Sequence, residues 1–310
     1  MLTRLLRLLT LGALGVLLAA PAAQAQFRVV GYLPSWRGEV RPTQLAQLTH
    51  VNYAFVQPTA SGGLEPLANP AKLRQLVAAA HAARVRVLVS VGGWHDGDHR
   101  AFDAIGAAAR PRRRLVRQLR RLVRQYSLDG VDMDWEHPNA STAAGYAALM
   151  HQLAARLHRR GQLLTAAVAG GTWAGPGILP SVFEDVDFLN IMAYDGPPPT
   201  HATYEAAAQT LTYWKGRGLP ARKAVLGLPF YGQPSQESFA ALVARGANPQ
   251  ADQLGTVGYN GLTTIRNKTV LALNEASGVM IWELAQDATG ASSLLAAISQ
   301  VLAQRPVPVR

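Results

Sequence analysis

Short apolar runs rich in valine, isoleucine and leucine alternate along the chain with longer stretches whose apolar residues recur at helical spacing. Apolar runs of four to eight residues are typical of buried strands, and the longer stretches are typical of amphipathic helices. The pattern predicts eight strands: Arg28–Leu33, His50–Val56, Val85–Val91, Gly130–Glu136, Leu163–Ala169, Val186–Tyr194, Ala224–Phe230 and Val279–Leu284.

Helical patterns fill most of the intervals between these strands: Ala71–Ala83, Arg112–Tyr126, Ala143–Arg159, Tyr204–Lys215, Thr263–Ala276 and Ser292–Ala303. Alternation of strands and helices implies parallel strands joined by crossover helices, and eight such units can close into a barrel. The sequence therefore predicts an α/β fold, a single (β/α)8 TIM barrel without a sizeable inserted domain. In such a barrel the active site lies at the C-terminal ends of the strands.

The N-terminus has the form of a secretory signal. Arg4 and Arg7 precede an uncharged apolar run, Leu8–Ala20, and the small-residue pattern Ala23-Gln24-Ala25 follows. We expect residues 1–25 to be removed, which leaves residues 26–310 as one secreted or periplasmic domain. An uncleaved anchor is the alternative, although the apolar run is short for a membrane span. No later apolar stretch is long enough to span a membrane, so we expect no integral membrane association after cleavage.

The amino-acid composition limits the fold class and the catalytic groups that the protein can have. Of the 310 residues, 49% are hydrophobic and 16% charged, which favours a large core over intrinsic disorder. The chain contains no cysteine, which excludes disulfides, thiolate metal sites and a cysteine nucleophile. Any catalysis must therefore use oxygen and nitrogen groups.

The chain is basic, with 30 lysines and arginines against 19 acids and a net charge of +11. Eight arginines fall within Arg110–Arg124, where apolar residues at helical spacing predict an amphipathic helix with a basic outer face. One interpretation is attachment to nucleic acid or to an acidic cell surface, and the other is an ordinary solvated helix. No nucleic-acid-binding motif accompanies the arginines, so we favour the solvated helix and expect no nucleic-acid partner.

Acidic residues occupy every second position at the end of the fourth predicted strand, Asp129-Gly130-Val131-Asp132-Met133-Asp134-Trp135-Glu136. Side chains alternate along a strand, so Asp132, Asp134 and Glu136 share one face, with neighbours roughly 6–7 Å apart. The apolar residues between them face the enclosing helices. Like charges at this separation raise each other's pKa, so the row should hold a proton near neutral pH, as a general acid requires.

Glu136 should stand at the exit of this strand, because Pro138 follows shortly and proline cannot continue a sheet ladder. In a barrel that position faces the substrate. Metal binding by the three acids is the alternative, but a strand spreads them along a line instead of converging them on one ion. We therefore predict no metal and no other cofactor.

These acids carry a resemblance to a known family. The pattern Asp129-x-x-Asp132-x-Asp134-x-Glu136 resembles the signature of glycoside hydrolase family 18, the chitinase-like family, and Trp135 is typical of its chitinase branch. The resemblance spans Val29 to Asp287 and departs at His137, where a tyrosine is common. Further similar motifs occur in the expected order: Ser90-Val91-Gly92-Gly93-Trp94, Met192-Ala193-Tyr194-Asp195, Gly227-Leu228-Pro229-Phe230-Tyr231-Gly232 and Gly278-Val279-Met280-Ile281-Trp282-Glu283.

The resemblance implies retaining hydrolysis of β-1,4-linked N-acetylglucosamine polymers, in which the substrate's own acetamido oxygen is the nucleophile. It implies that Glu136 is the acid and base, that Asp134 orients the acetamido group and that Asp132 shares a proton with Asp134. Tyr194 would hold the acetamido carbonyl. Substrate contacts are implied for Asp195, Trp282, Met192, Tyr32, Trp94 and Gly93, and supporting roles for Ser90 and Asp129.

We expect an endo-acting, monomeric chitinase whose partners are chitin or other N-acetylglucosamine oligosaccharides. Trp36, Trp94 and Trp173 follow strands at the expected active face, where aromatic rings suit sugar subsites. One alternative is an endo-β-N-acetylglucosaminidase that acts on N-glycan or peptidoglycan-related glycans. A second is a non-catalytic chitin-binding lectin, although such lectins usually lack the acid that Glu136 supplies. A third is a surface-adhesion protein that uses the basic helix.

Overall fold

Eight parallel strands close into a barrel in the computed structural model, which describes residues 27–197 and 199–304. Around the barrel the order is β1, β2, β3, β4, β5, β6, β7 and β10, which pairs again with β1. The predicted single (β/α)8 barrel is confirmed. The strands are β1 (Arg28–Pro34), β2 (His50–Val56), β3 (Arg86–Gly92), β4 (Gly130–Asp134), β5 (Leu163–Ala169), β6 (Phe188–Met192), β7 (Ala224–Pro229) and β10 (Gly278–Trp282).

Helices enclose the barrel, and the six predicted from periodicity lie within three residues of their expected bounds. The helix α3 fills an interval in which none was predicted. Between β7 and β10 the chain adds only α8, α9 and the two-residue ribbon strands β8 (Gln253–Leu254) and β9 (Val257–Gly258). The helices are α1 (Pro42–Leu45), α2 (Pro70–Ala82), α3 (Arg100–Ala107), α4 (Ala109–Tyr126), α5 (Ala143–Leu157), α6 (Ser181–Asp185), α7 (Tyr204–Gly216), α8 (Phe239–Ala244), α9 (Leu262–Glu275) and α10 (Leu294–Ala303).

The apolar residues form two cores, as alternation along the strands requires. The larger core lies between the strands and the helices and contains Val131, Met133 and Trp135 of the acidic segment. Trp135 stacks on Phe102 of α3 with ring centroids 5.0 Å apart. The smaller core lies inside the barrel and includes Tyr32. The acids between the outward apolar residues therefore face the barrel interior, as predicted.

The strand β4 ends two residues earlier than predicted, because its pairing with both neighbouring strands stops. Its last pair with β3 is Asp134 with Gly92, and the amide of Gly93 donates to the carbonyl of Asp134 over 2.7 Å. Pairing between β4 and β5 stops at Met133 and Ala166. Glu136 consequently lies just beyond the strand, at the rim of the barrel.

The predicted export signal, residues 1–25, lies outside the described residues. Within residues 27–197 and 199–304 no helix is long and apolar enough to cross a membrane. The predicted basic helix is α4, whose buried face consists of apolar side chains and Tyr126.

Candidate active site

A cavity of about 550 Å³ opens at the C-terminal end of the barrel, where the acidic segment ends. Its floor and walls come from residues at the ends of six strands and from the loops that follow them. The lining residues are Tyr32, Trp36, Arg37, Phe55, Trp94, Asp134, Glu136, His137, Ala167, Met192, Tyr194, Asp195, Tyr231, Gln233, Gln236, Met280 and Trp282.

Asp132 lies beneath the cavity, fully buried, and accepts hydrogen bonds from four different strands. Oδ2 accepts from the hydroxyls of Tyr32 at 2.6 Å and Ser90 at 2.8 Å. Oδ1 accepts from the hydroxyl of Thr165 at 2.5 Å and from Nδ2 of Asn190 at 3.1 Å. Burial raises the pKa of Asp132, and the four donors oppose that rise. The donors fix the carboxyl group in one orientation.

Asp134 and Glu136 stand above Asp132, and the pKa of each is raised. Burial, with the neighbouring charges of Glu136 and Asp132, raises the pKa of Asp134 well above its usual range. Its Oδ1 is buried and accepts no hydrogen bond from the described residues. Burial also raises the pKa of Glu136 to about 7, and the charge of Asp195 adds to this rise. The cavity therefore holds a carboxylic acid near neutral pH.

His137 touches the outer side of Glu136. Its Nε2 lies 3.4 Å from Oε2 of Glu136. Burial lowers the pKa of His137 to about 4, so the ring is neutral near pH 7. The ring packs edge-on against Trp173, with centroids 4.8 Å apart, and its centroid lies 6.4 Å from that of Trp94. His137, which departs from the family pattern, thus lies between the carboxyl group of Glu136 and two exposed tryptophans.

Asp195 faces the cavity from the loop after β6. Its Oδ1 accepts hydrogen bonds from the hydroxyl of Tyr231 at 2.6 Å and from Nε2 of Gln233 at 2.7 Å. The buried ring of His201 lies behind it, with Nδ1 3.6 Å from the same oxygen. Burial alone would raise the pKa of Asp195, but these three partners outweigh burial and lower the pKa. Asp195 is therefore ionised at neutral pH.

Aromatic rings form one wall of the cavity. Phe55 stacks on Trp282 with centroids 5.6 Å apart, and Tyr32 meets Trp282 edge-on at 5.6 Å. Gly93 allows this packing, because a Cβ atom there would lie 2.5 Å from the Phe55 ring. Gly93 also has φ +87°, a left-handed conformation that favours glycine.

Three tryptophans at the rim remain exposed to solvent, namely Trp36, Trp94 and Trp173. Large apolar side chains are seldom this exposed without a binding role when they surround a cavity. Trp36 packs loosely against Phe55, with centroids 6.1 Å apart. The fully buried Trp214 lies away from this rim, in α7.

The structure brings most of the predicted site residues together. Asp134, Glu136, Tyr194, Asp195, Trp282, Met192, Tyr32 and Trp94 line one cavity. Asp132 and Ser90 lie directly beneath this cavity, and Gly93 lies beside it behind Phe55.

Asp129 is the exception, and its predicted supporting role at the site needs correction. Its Oδ2 accepts hydrogen bonds from Nε2 of His81 at 2.8 Å and from the amide of Val87 at 2.7 Å. It precedes Asp132 by three residues, which places it roughly 10 Å farther down the strand, at the opposite mouth of the barrel. Asp129 therefore ties β3 to β4 and does not reach the cavity.

Several residues that shape the site were not predicted from the sequence: Phe55, Thr165, Asn190, His201, Tyr231 and Gln233. Asn190 and Thr165 carried a usable signal, because a polar residue inside an otherwise apolar strand must find a partner within the barrel. Within residues 27–197 and 199–304, no three His, Asp or Glu side chains converge to hold a metal ion. The site thus offers a carboxyl group whose pKa lies near neutral pH, two buried carboxyl groups beneath it and an aromatic wall.

Comparisons with known proteins agree with this geometry. The family model described as Glycosyl hydrolases family 18 matches residues 28–287. The chain is similar to Chitinase B of Serratia marcescens, with 24% identity over 63% of this chain and 52% of that protein. It is also similar to an endochitinase of Manduca sexta, with 27% identity over 72% of this chain and 49% of that protein. The chain thus spans about half the length of these curated relatives.

A solved structure shows the same similarity in three dimensions. The family 18 chitinase ChiB of Flavobacterium johnsoniae superposes with a TM-score of 0.79 and 28% sequence identity. The superposition covers 90% of this chain and 94% of that one. The family match over most of the chain and the shared barrel lead to one conclusion: the chain belongs to family 18 of the glycosyl hydrolases.

Proposed function

We propose that this protein is a retaining chitinase that hydrolyses β-1,4-linked N-acetylglucosamine polymers. The observation that carries the proposal is the stack of Asp132, Asp134 and Glu136, which ends with a carboxyl group in a cavity lined by aromatic side chains, where burial raises its pKa to about 7. Family membership and the chitinase names of the relatives support the same substrate class.

Glu136 begins the reaction by donating its proton to the glycosidic oxygen, and the bond from that oxygen to C1 breaks. The acetamido oxygen of the same sugar forms a bond to C1 on the opposite face, which gives a cyclic oxazolinium ion and a free alcohol. Asp134 accepts a hydrogen bond from the acetamido N–H and, once its proton has moved to Asp132, balances the positive charge as a carboxylate. Its unpartnered, buried Oδ1 supplies an acceptor for that contact.

Water completes the reaction. The carboxylate of Glu136 removes a proton from a water molecule, the water oxygen bonds to C1, and the oxazolinium ring opens. Two inversions at C1 give net retention, so the first product is the β-anomer. General acid and base catalysis of this kind contributes about 10²–10⁴ in rate.

The surrounding side chains position the reacting sugar. The Tyr194 hydroxyl, whose pKa burial raises well above the usual range, stays protonated and can donate to the acetamido carbonyl. The ionised Asp195 accepts hydrogen bonds from sugar hydroxyls. Trp282 offers an apolar face for the C–H side of the ring. The rim tryptophans extend this surface, which suits a polymer that continues beyond the cavity.

We also propose that the protein is exported, as a secreted or periplasmic enzyme. The basic residues Arg4 and Arg7, the apolar run and the small residues before Gln26 support this proposal. Mass spectrometry of the protein recovered from outside the cytoplasm should find an N-terminus at Gln26. A mature chain that retains residues 1–25 would contradict cleavage.

Hydrolysis of fluorogenic di- and tri-N-acetylchitooligosaccharides tests the activity. We expect Glu136→Gln to lose at least ~10²-fold in kcat, whereas the matched variant Glu275→Gln, on the outer helix α9, keeps its activity. Unchanged activity of Glu136→Gln would show that Glu136 is not the general acid. Rapid NMR of the product tests the mechanism, because an initial α-anomer would exclude acetamido participation.

A glycoprotein substrate separates the chitinase from its closest rival. An endo-β-N-acetylglucosaminidase acts on the same reacting sugar, so Glu136→Gln would inactivate both. If the protein released intact glycan from a high-mannose glycoprotein and did not cleave chitooligosaccharides, it would be an endo-β-N-acetylglucosaminidase and not a chitinase. Binding of chitooligosaccharides by the wild type without any hydrolysis would instead indicate a lectin.

A further inference from the structure

Five arginines cluster where α4 and α5 pack side by side, namely the half-buried Arg120 and the exposed Arg124, Arg156, Arg159 and Arg160, here called the arginine cluster. Arg120 lies at its centre, where burial and the charges of the other four lower its pKa. The Nε atom of Arg120 is buried and has no hydrogen-bond partner among the described residues. The cluster thus concentrates positive charge around Arg120, whose Nε has no acceptor among the described residues.

Among the described residues, no acidic side chain pairs with this charge. Within residues 27–197 and 199–304, none of the five arginines forms an ion pair. Asp185 and Asp187, the acids that contact this part of the chain, pair with His151 and His158. Surface charges are normally interspersed with charges of the opposite sign, so an unbalanced group costs stability through self-repulsion.

Four of the five side chains also have no hydrogen-bond acceptor among the described residues. Arg159 donates through Nε to the carbonyl of Ala155. In the part of the chain that the structure describes, the guanidinium groups of Arg124, Arg156 and Arg160 make no hydrogen bond. Each guanidinium carries five N–H donors in a planar fork, which matches the oxygens of an anion bidentately. The partial negative charge at a helix C-terminus stabilises a nearby arginine, which would account for one arginine at the end of each helix. It does not account for five arginines that repel one another.

The cluster lies away from the active-site cavity. Crossover helices run antiparallel to the barrel strands, so the ends of α4 and α5 lie at the mouth opposite the cavity. Chitin is a neutral polymer and does not account for this charge. A ligand held at the cluster would therefore leave the cavity open to substrate.

We propose that the arginine cluster binds a linear chain of linked phosphate groups, a polyanion without nucleobases, and is therefore more than the solvated helix face that the sequence favours. Phosphate offers several acceptor oxygens and more charge per group than a carboxylate, and arginine is over-represented where phosphate is recognised. All but four of the 30 basic residues of the chain are arginine. Such an interaction would hold the enzyme on a phosphate-bearing surface while the cavity works on neutral sugar chains.

Binding of the full chain to immobilised linear polyphosphate at increasing salt concentration tests the proposal. We expect the triple variant Arg124→Gln, Arg156→Gln, Arg160→Gln to bind at least ~10-fold more weakly and to lower the slope of log affinity against log salt by roughly 2–3. The matched control Arg100→Gln, Arg245→Gln, Arg266→Gln removes the same charge from arginines that already have polar partners. It should lose less than ~3-fold.

Three outcomes would overturn the proposal. Equal losses of affinity in both triple variants would show that the binding depends on net charge alone. Absence of salt-sensitive binding by the wild type would show that the arginine cluster does not bind polyphosphate. Equal affinity for polygalacturonate, a carboxylate polymer, would refute the preference for phosphate. Hydrolysis of soluble chitooligosaccharides should be unchanged in both triple variants, which shows that they fold and keeps this test separate from that of the proposed function.

Discussion

The hydroxyl of Tyr32 donates a hydrogen bond of 2.6 Å to Oδ2 of Asp132, although 100 positions separate the two residues in the chain. This contact spans the barrel interior from β1 to β4. Ser90 donates to the same oxygen from β3. The buried end of the acidic row is therefore held by strands that close the barrel, so the integrity of the site depends on closure.

Loss of the Tyr32 hydroxyl should weaken both the fold and the reaction. We expect Tyr32→Phe to reduce the free energy of unfolding by about 1–3 kcal/mol, since a buried carboxyl loses a donor. Without that donor the pKa of Asp132 rises further and kcat falls. Urea denaturation and chitooligosaccharide kinetics measure the two effects. In the control Tyr53→Phe, whose hydroxyl donates to the carbonyls of Ala68 and Asn69, stability should fall and kcat should persist.

The alkaline limb of the pH profile should report Glu136. The reaction needs its protonated form, and burial raises its pKa to about 7, so kcat/KM should fall as pH rises through about 7. Asp195 contributes to that rise through its negative charge. Asp195→Asn should therefore move the limb to lower pH, whatever its effect on the absolute rate.

The control for this shift is Asp185→Asn, an acid outside the cavity that pairs with His151. It should leave the limb in place. A limb that stays fixed in Asp195→Asn, or that moves to higher pH, would contradict the assignment of the limb to Glu136.

A methyl group at position 93 should disturb the aromatic wall. In Gly93→Ala the new Cβ meets the Phe55 ring at 2.5 Å, and Phe55 in turn stacks on Trp282. We expect higher KM in addition to lost stability. Gly246→Ala is a matched control, because Gly246 has φ +99° but no atom within 4 Å of the added Cβ. Equal KM in the two variants would contradict the proposed role of the Phe55 contact in shaping the cavity.

Lys268 should make stability depend on pH. Its buried Nζ donates to the carbonyl of Ala202 and to Oδ1 of Asn260, both at 2.7 Å. Burial lowers its pKa from 10.5 to about 7. Between these values the unfolded chain binds a proton that the folded chain does not, so the stability of the wild type rises with pH across this window.

The variant Lys268→Met removes this titration. The difference in free energy of unfolding between wild type and Lys268→Met should therefore shift in favour of the wild type from about pH 7 to about pH 10. The control Lys215→Met, which removes a half-buried lysine paired with Glu275, should retain the pH dependence of the wild type. Parallel stability curves for wild type and Lys268→Met would show that the buried amine keeps an ordinary pKa.

The sequence by itself determined the number of strands, their order and the inward row of Asp132, Asp134 and Glu136. These features are local, because alternation of side chains and the position of Pro138 follow from a few consecutive residues. The family motifs also placed Tyr194 and Asp195 at the end of a strand. None of this required knowledge of which strands are neighbours.

Only the tertiary structure decided which groups meet. Thr165 and Asn190 reach Asp132, and Tyr231 and Gln233 reach Asp195, because barrel closure and strand register bring distant positions within hydrogen-bond distance. The same register places Asp129 at the opposite mouth, although it belongs to the same motif as Glu136. Hydrogen bonds form over about 3 Å, and sequence separation does not encode distances on that scale until the chain has folded.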